Sequence, residues 1–135
     1  MKVLQDIWIL NKSGIVMFNR VFNESVSPQA FGAMMSALST FADQLADGGL
    51  SNFELNNKRF TIIKKYDLMF IANSSKQFNQ KKMNRELERV SKKFLKLYLD
   101  KIKDYKGQIG AFTEFEEIIE DSLQESTIKT SEDLL

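Results

Sequence analysis

The sequence predicts an α+β domain: a five-stranded antiparallel sheet with helices on both faces, in the order β-β-α-β-β-β-α-α. Three observations carry this. Short runs rich in β-branched and aromatic residues are bounded by Gly, Asn, Asp and Ser, the pattern of strands joined by tight turns. Two of these runs, Ile7-Trp8-Ile9-Leu10 and Leu68-Met69-Phe70-Ile71-Ala72, are apolar without interruption, as strands covered on both faces are. Between and after the strand runs the apolar residues change to a helical period.

Residues 3–11 form the first expected strand, a central one. Asn11-Lys12-Ser13-Gly14 turns the chain, and residues 15–22 return as the partner of a hairpin. Ser27 and Pro28 open a helix: Ser27 caps the first turn, and Pro28 stands where its missing N–H costs nothing. Phe31, Met34, Met35, Leu38, Phe41 and Leu45 then recur at helical spacing and read as its core stripe. Gly48-Gly49 ends this helix. Residues 50–55, 59–65 and 68–73 read as three more strands, with Asn56-Asn57 and Tyr66-Asp67 as the turns of a meander. The longest helix runs to about residue 105 and buries Met83, Leu87, Val90, Phe94, Leu97, Tyr98 and Ile102. Gly107 and Gly110 break it, and residues 111–123 form a last amphipathic helix. One domain over residues 1–123 and a flexible tail over 124–135 are expected.

Composition removes whole classes of chemistry. The 135 residues contain no Cys and no His, so disulfides, thiol catalysis, histidine-ligated metals and Ser-His-Asp triads are excluded. Asp6 interrupts the first apolar stretch, so the N-terminus does not read as a signal peptide. Gly48-Gly49 lacks the flanking residues of a phosphate loop, and a strand rather than a helix follows Gly14. The acids Glu114, Glu116, Glu117, Glu120 and Asp121 show no fixed pairing for acid–base work or cation ligation. No cofactor, no metal and no enzymatic activity are expected.

The net charge of +1 is a cancellation. Residues 1–75 sum to +1, residues 76–106 to +7 and residues 107–135 to −7. The acidic segment can neutralise the basic helix, or the helix can offer a basic face to an anionic partner.

Three local patterns, taken in order, resemble the longin domain of the profilin-like superfamily. They are the hairpin from Ile7 through Gly14 to Phe22, the paired runs Phe60-Thr61-Ile62-Ile63 and Leu68-Met69-Phe70-Ile71-Ala72, and the stripe Leu87, Val90, Phe94 and Tyr98 on the following helix. The pattern lies nearest the longin domains of the signal recognition particle receptor α subunit and of clathrin-adaptor small chains. The roadblock domain is a relative that carries an extra helix before its first strand. The resemblance implies a non-catalytic, cytoplasmic interaction module, free or peripheral at a membrane, acting in vesicle trafficking or with small Ras-like GTPases. It implies a homo- or heterodimer with another longin- or roadblock-like chain, paired through the first helix and third strand.

Two surfaces are candidates. The first combines Gln29, Ala33, Ser36, Ala37 and Thr40, on the small uncharged face of the first helix, with Leu50, Asn52 and Glu54 of an expected edge strand. Interfaces are depleted in Lys and Glu, and small residues admit a close approach; the plain alternative is a bland exposed face. The second is the basic face of Lys81, Lys82, Arg85 and Arg89, a candidate for an anionic surface. The residues disfavour nucleic acid there, because the aromatics Phe94 and Tyr98 lie on the buried stripe. A solvated outer face is the plain alternative.

Overall fold

The computed structural model describes residues 2–22 and 26–124. Its strands are β1 (Asp6–Asn11), β2 (Val16–Arg20), β3 (Asn52–Glu54), β4 (Lys58–Lys65) and β5 (Leu68–Ser75). Its helices are α1 (Pro28–Leu45), α2 (Gln80–Lys103) and the single turn α3 (Phe115–Ile118). All strand pairs are antiparallel, in the order β2-β1-β5-β4-β3. The two uninterrupted apolar runs therefore lie side by side at the centre, as expected, and β3 is an edge.

Alternation along the central strands splits the interior into two cores. Ile7, Ile9, Phe70 and Ala72 face Met83, Leu87, Val90 and Phe94 of α2 and the rings of Phe112 and Phe115. Trp8, Leu10, Met69 and Ile71 face the other way, toward Met35 and Phe31 of α1. Helices thus cover both faces.

The caps form as the residues dictate. The Ser27 hydroxyl accepts from the Ala30 N–H at 3.1 Å, and the Asn79 side chain accepts from the Lys82 N–H at 2.8 Å. The β4–β5 turn holds Tyr66 and Asp67 at φ 52° and 62°, the two left-handed residues of a hairpin turn that matches strand twist.

Two expected elements differ. The last helix is not continuous: between Phe112 and Leu123 the backbone bonds are mostly i to i+3, as in Phe115 N–H to Phe112 O and Ser122 N–H to Ile119 O. Glu116 and Glu120, and Glu117 and Asp121, are like charges four residues apart, which disfavour a regular α-helix. Tight turns still bury Phe112, Phe115, Ile119 and Leu123. The first strand also starts later than expected. Val3 and Leu4 are buried but donate their N–H groups to Ser122 O, and the Gln124 N–H donates back to Leu4 O. Gln124 is thereby tied to the domain, and the remainder of the expected tail, 125–135, lies outside the described residues.

Candidate functional site

The first helix does not sit as its apolar period implies. Its buried residues are Gly32, Met35 and Ser39. Met34 is 55% exposed, Leu38 40%, Phe41 58% and Leu45 71%. The expectation that these four belong to the core is wrong: the helix is turned by about 100° about its axis, one residue's worth. The cause lies in its contact with the hairpin. Gly32 packs directly on Gly14, so closely that a Cβ on Gly32 would lie 2.3 Å from Gly14 O. Only a backbone-to-backbone contact fits there, and it selects the small side of α1 to face the sheet.

The candidate residues on α1 divide accordingly. Gln29 turns back to the domain, its side chain accepting from Val16 N–H at 3.2 Å and donating to Val16 O at 3.4 Å. Ser36 is half-buried beside Lys12, whose carbonyl its hydroxyl reaches at 3.5 Å. Ala33, Ala37 and Thr40 are exposed. They adjoin the displaced apolar stripe, so the outer surface of α1 reads Ala33, Ala37, Phe41, Met34, Leu45 and Leu38 without a charge. Phe31 borders this flank. Its ring stacks on Trp8 at 4.1 Å, Trp8 stacks on Phe60 at 6.2 Å, and Phe60 stacks on Phe53 of β3 at 4.4 Å. The row of rings runs from the apolar flank of α1 to the sheet edge.

That edge is open. Phe53 pairs with Phe60, while the bonds flanking it run from Leu55 N–H to Lys58 O and from Ile62 N–H to Ser51 O. In an antiparallel ladder the intervening residues direct their N–H and C=O groups outward, and these are Asn52 and Glu54. Both are exposed, and Leu50 is half-buried against the aromatic row. The Glu54 carboxylate is held by Arg59 at 2.7 Å and Lys76 at 3.2 Å, which masks the one charge on the edge.

A family model described as the first longin domain of FUZ, MON1 and HPS1 matches residues 5–104. The chain belongs to this longin family. A comparison with curated protein sequences finds no match. Among solved structures, Myxococcus xanthus MglB aligns with the longin domain at TM-score 0.58 and 9% identity, covering 72% of this chain and 85% of that one. A Roadblock/LC7 domain from Streptomyces avermitilis gives TM-score 0.58 and 15% identity, covering 72% and 86%. The gliding protein MglB from Thermus thermophilus gives 0.50 and 7%, covering 64% and 71%. At such identities the likeness is one of fold.

Among the described residues the basic face of the longin domain is only partly neutralised. Asp121 binds Arg89 at 3.5 Å and Lys93 at 3.6 Å. Burial pushes its carboxyl up, but Lys93 and Arg89 outweigh this and hold it below the ordinary carboxylate range. Arg89 also meets the buried Glu86 at 3.1 Å, and Lys82 lies over the Phe78 ring. The acidic segment thus covers one flank of α2. Lys81 and Arg85 stand outside these contacts, as do Lys92 and Lys96.

Among the described residues no group of acids is placed to hold a metal ion, and no helix is long and apolar enough to cross a membrane. An open depression of about 370 Å³ lies between α1 and the β4–β5 turn, with Lys12, Ser39, Asp43 and Lys64 in its wall. Lys64 is already engaged by Asp43 at 3.3 Å. Sequence reasoning missed Gly32, Met34, Leu38, Phe41 and Leu45 as surface-defining residues. The available signal was Gly32 itself: a glycine inside a helix marks a close approach.

Proposed function

We propose that this longin domain is a non-catalytic pairing module whose contact surface is the apolar flank of α1 together with the open edge of β3. The single observation that carries the reading is the placement of Met34, Leu38, Phe41 and Leu45 in solvent, on a flank that the rings of Phe31, Trp8, Phe60 and Phe53 join to the outer edge of β3. An uncharged apolar patch of this kind marks an interaction surface, and an open edge accepts a further strand. A second copy supplies both complements at once, an apolar helix and an edge strand, and the surface is then isologous. A related longin- or roadblock-like chain would offer the same pair of features. Family membership with FUZ, MON1 and HPS1 domains, and likeness to MglB and roadblock folds, support a role for the pair as an adaptor in vesicle trafficking or small-GTPase regulation.

Light scattering tests the pairing. The wild-type chain is expected at twice its 15.6 kDa mass, and Ala37→Glu with Phe41→Glu at the mass of one folded chain. A wild-type mass of one chain, or a variant mass equal to that of the wild type, would remove this surface as the self-pairing one. Affinity purification from the native source then identifies the adaptor's client. A Ras-like GTPase or a second longin chain among the co-eluting proteins supports the wider role, and the absence of both counts against it.

A further inference from the structure

We propose that the outer face of α2 docks on an anionic lipid surface. At 100° per residue, Lys81, Arg85, Lys92 and Lys96 lie within an arc of about 60°, opposite the stripe of Met83, Leu87, Val90 and Phe94 that packs on the sheet. Arg89 stands at the margin of the arc, and between residues 81 and 96 every side chain from Lys81 round to Arg89 is basic. Glu88, just outside the arc, is turned to Lys65 on β4. Among the described residues none of Lys81, Arg85, Lys92 and Lys96 has an acid within ion-pair distance, and all four are exposed. A solvated helix face ordinarily intersperses acids with bases; this one carries a single sign along about 22 Å of helix.

The charge pattern selects the partner. The four cations form a row along the outward face of a helix, and between residues 81 and 96 the arc carries no aromatic ring to stack a base. A row of point charges on a helix face matches a flat array of headgroups, and Leu99, partly exposed, continues the same line. Because the whole chain carries a net charge of +1, attraction to such a surface must come from the row and not from overall charge. It acts within a Debye length, about 10 Å at 0.1 M salt.

The surface belongs to each chain and does not depend on pairing. Pairing through β3 would add to it, since a two-fold axis normal to the sheet places both α2 helices on one side and both rows in one plane.

The test is cosedimentation with vesicles of phosphatidylcholine alone and with about 30% phosphatidylserine, which supplies the negative surface potential. The wild-type chain is expected on the anionic vesicles only, and to be released as salt is raised. Each cation contributes about fivefold in partitioning, so K81E/R85E/K92E/K96E should lose more than a hundredfold while keeping its circular dichroism and mass. If that variant misfolds, K92E/K96E should still lose more than tenfold. Phe41→Glu, which breaks the proposed pairing, should bind more weakly but still prefer anionic vesicles, so the two readings fail separately. Equal binding to both vesicles, salt-insensitive binding, or undiminished binding by the charge-reversed chain would overturn the proposal. So would tighter retention by a single-stranded RNA oligonucleotide, which would assign the row to nucleic acid.

Discussion

Replacing Gly32 by alanine sets two effects of opposite sign against each other. Alanine is the better helix former by about 1 kcal/mol, so on local propensity alone the change stabilises. The contact with the β1–β2 hairpin says otherwise. The new Cβ would stand 2.3 Å from Gly14 O and 2.9 Å from the Val16 side chain, where ordinary contact begins near 3.4 Å. The nearest atom is backbone and cannot swing aside, so α1 must withdraw by about 1 Å, an overpacking that costs roughly 1–3 kcal/mol. Withdrawal also stretches the two Gln29–Val16 bonds, now 3.2 and 3.4 Å, each worth about 1 kcal/mol. The net is a destabilisation of about 1–3 kcal/mol, or a fall in Tm of roughly 4–12 °C for a domain of this size. Thermal unfolding followed by circular dichroism measures it. A Tm equal to or above that of the wild type would show that helix propensity prevails, and that the Gly14–Gly32 contact does not set the rotation of α1.

Three further outcomes follow from other contacts. The buried Asp6 carboxylate accepts from Asn73 Nδ2 and from the Phe22 N–H, both at 3.0 Å; Asn73→Ala should cost about 2–3 kcal/mol in denaturant unfolding, and a loss below about 0.5 kcal/mol would mean that water replaces the amide. Burial, helped by a hydrogen bond to Glu114 at 3.1 Å, pushes the Tyr98 phenol up to about 12. A raised folded-state pKa favours the native state below the unfolded value of about 10 and loses that contribution as pH climbs through the folded one. Wild-type stability should therefore fall between pH 10 and 12, and Tyr98→Phe should flatten that fall; parallel curves for the two chains would refute the assignment. Asp121, held low by Lys93 and Arg89, contributes above its unfolded pKa and loses that contribution as pH drops through the folded one. The small stability gap between wild type and Asp121→Asn should close in acid, and a gap that persists at low pH would point to a role other than charge pairing.

The sheet was legible in the residues because its signals are local. Uninterrupted apolar runs marked β1 and β5 as central, and Ser27-Pro28 marked the start of α1. What escaped was rotation. Apolar period says which residues of a helix share a face, but not which face meets the sheet when two are available. On α1 the apolar face and the small face compete, and Gly32 against Gly14 decides, a contact between residues eighteen apart that no window of helical period spans. On α1, Gln29, Ala33, Ala37 and Thr40 are all exposed, Gln29 while bonded to Val16 of the hairpin, and Ser36 is half-buried beside Lys12. The interplay of charged segments was legible only as a sum: the −7 of residues 107–135 predicts contact with the basic helix, but not that Asp121 is the residue that reaches Arg89 and Lys93, nor that no other described acid reaches the outer row.

The seam between Leu4 and Leu123 bears on how the fold is completed during synthesis. Residues separated by more than a hundred positions close the same core, and β1, the earliest of the five strands in chain order, sits mid-sheet between β2 and the much later β5. A ribosome releasing this chain from its N-terminus therefore exposes Val3, Leu4 and Phe18 with no final cover until Phe112, Phe115 and Leu123 have emerged. The last dozen or so described residues act as a latch: until they arrive, that end of the core lacks the side chains that close it.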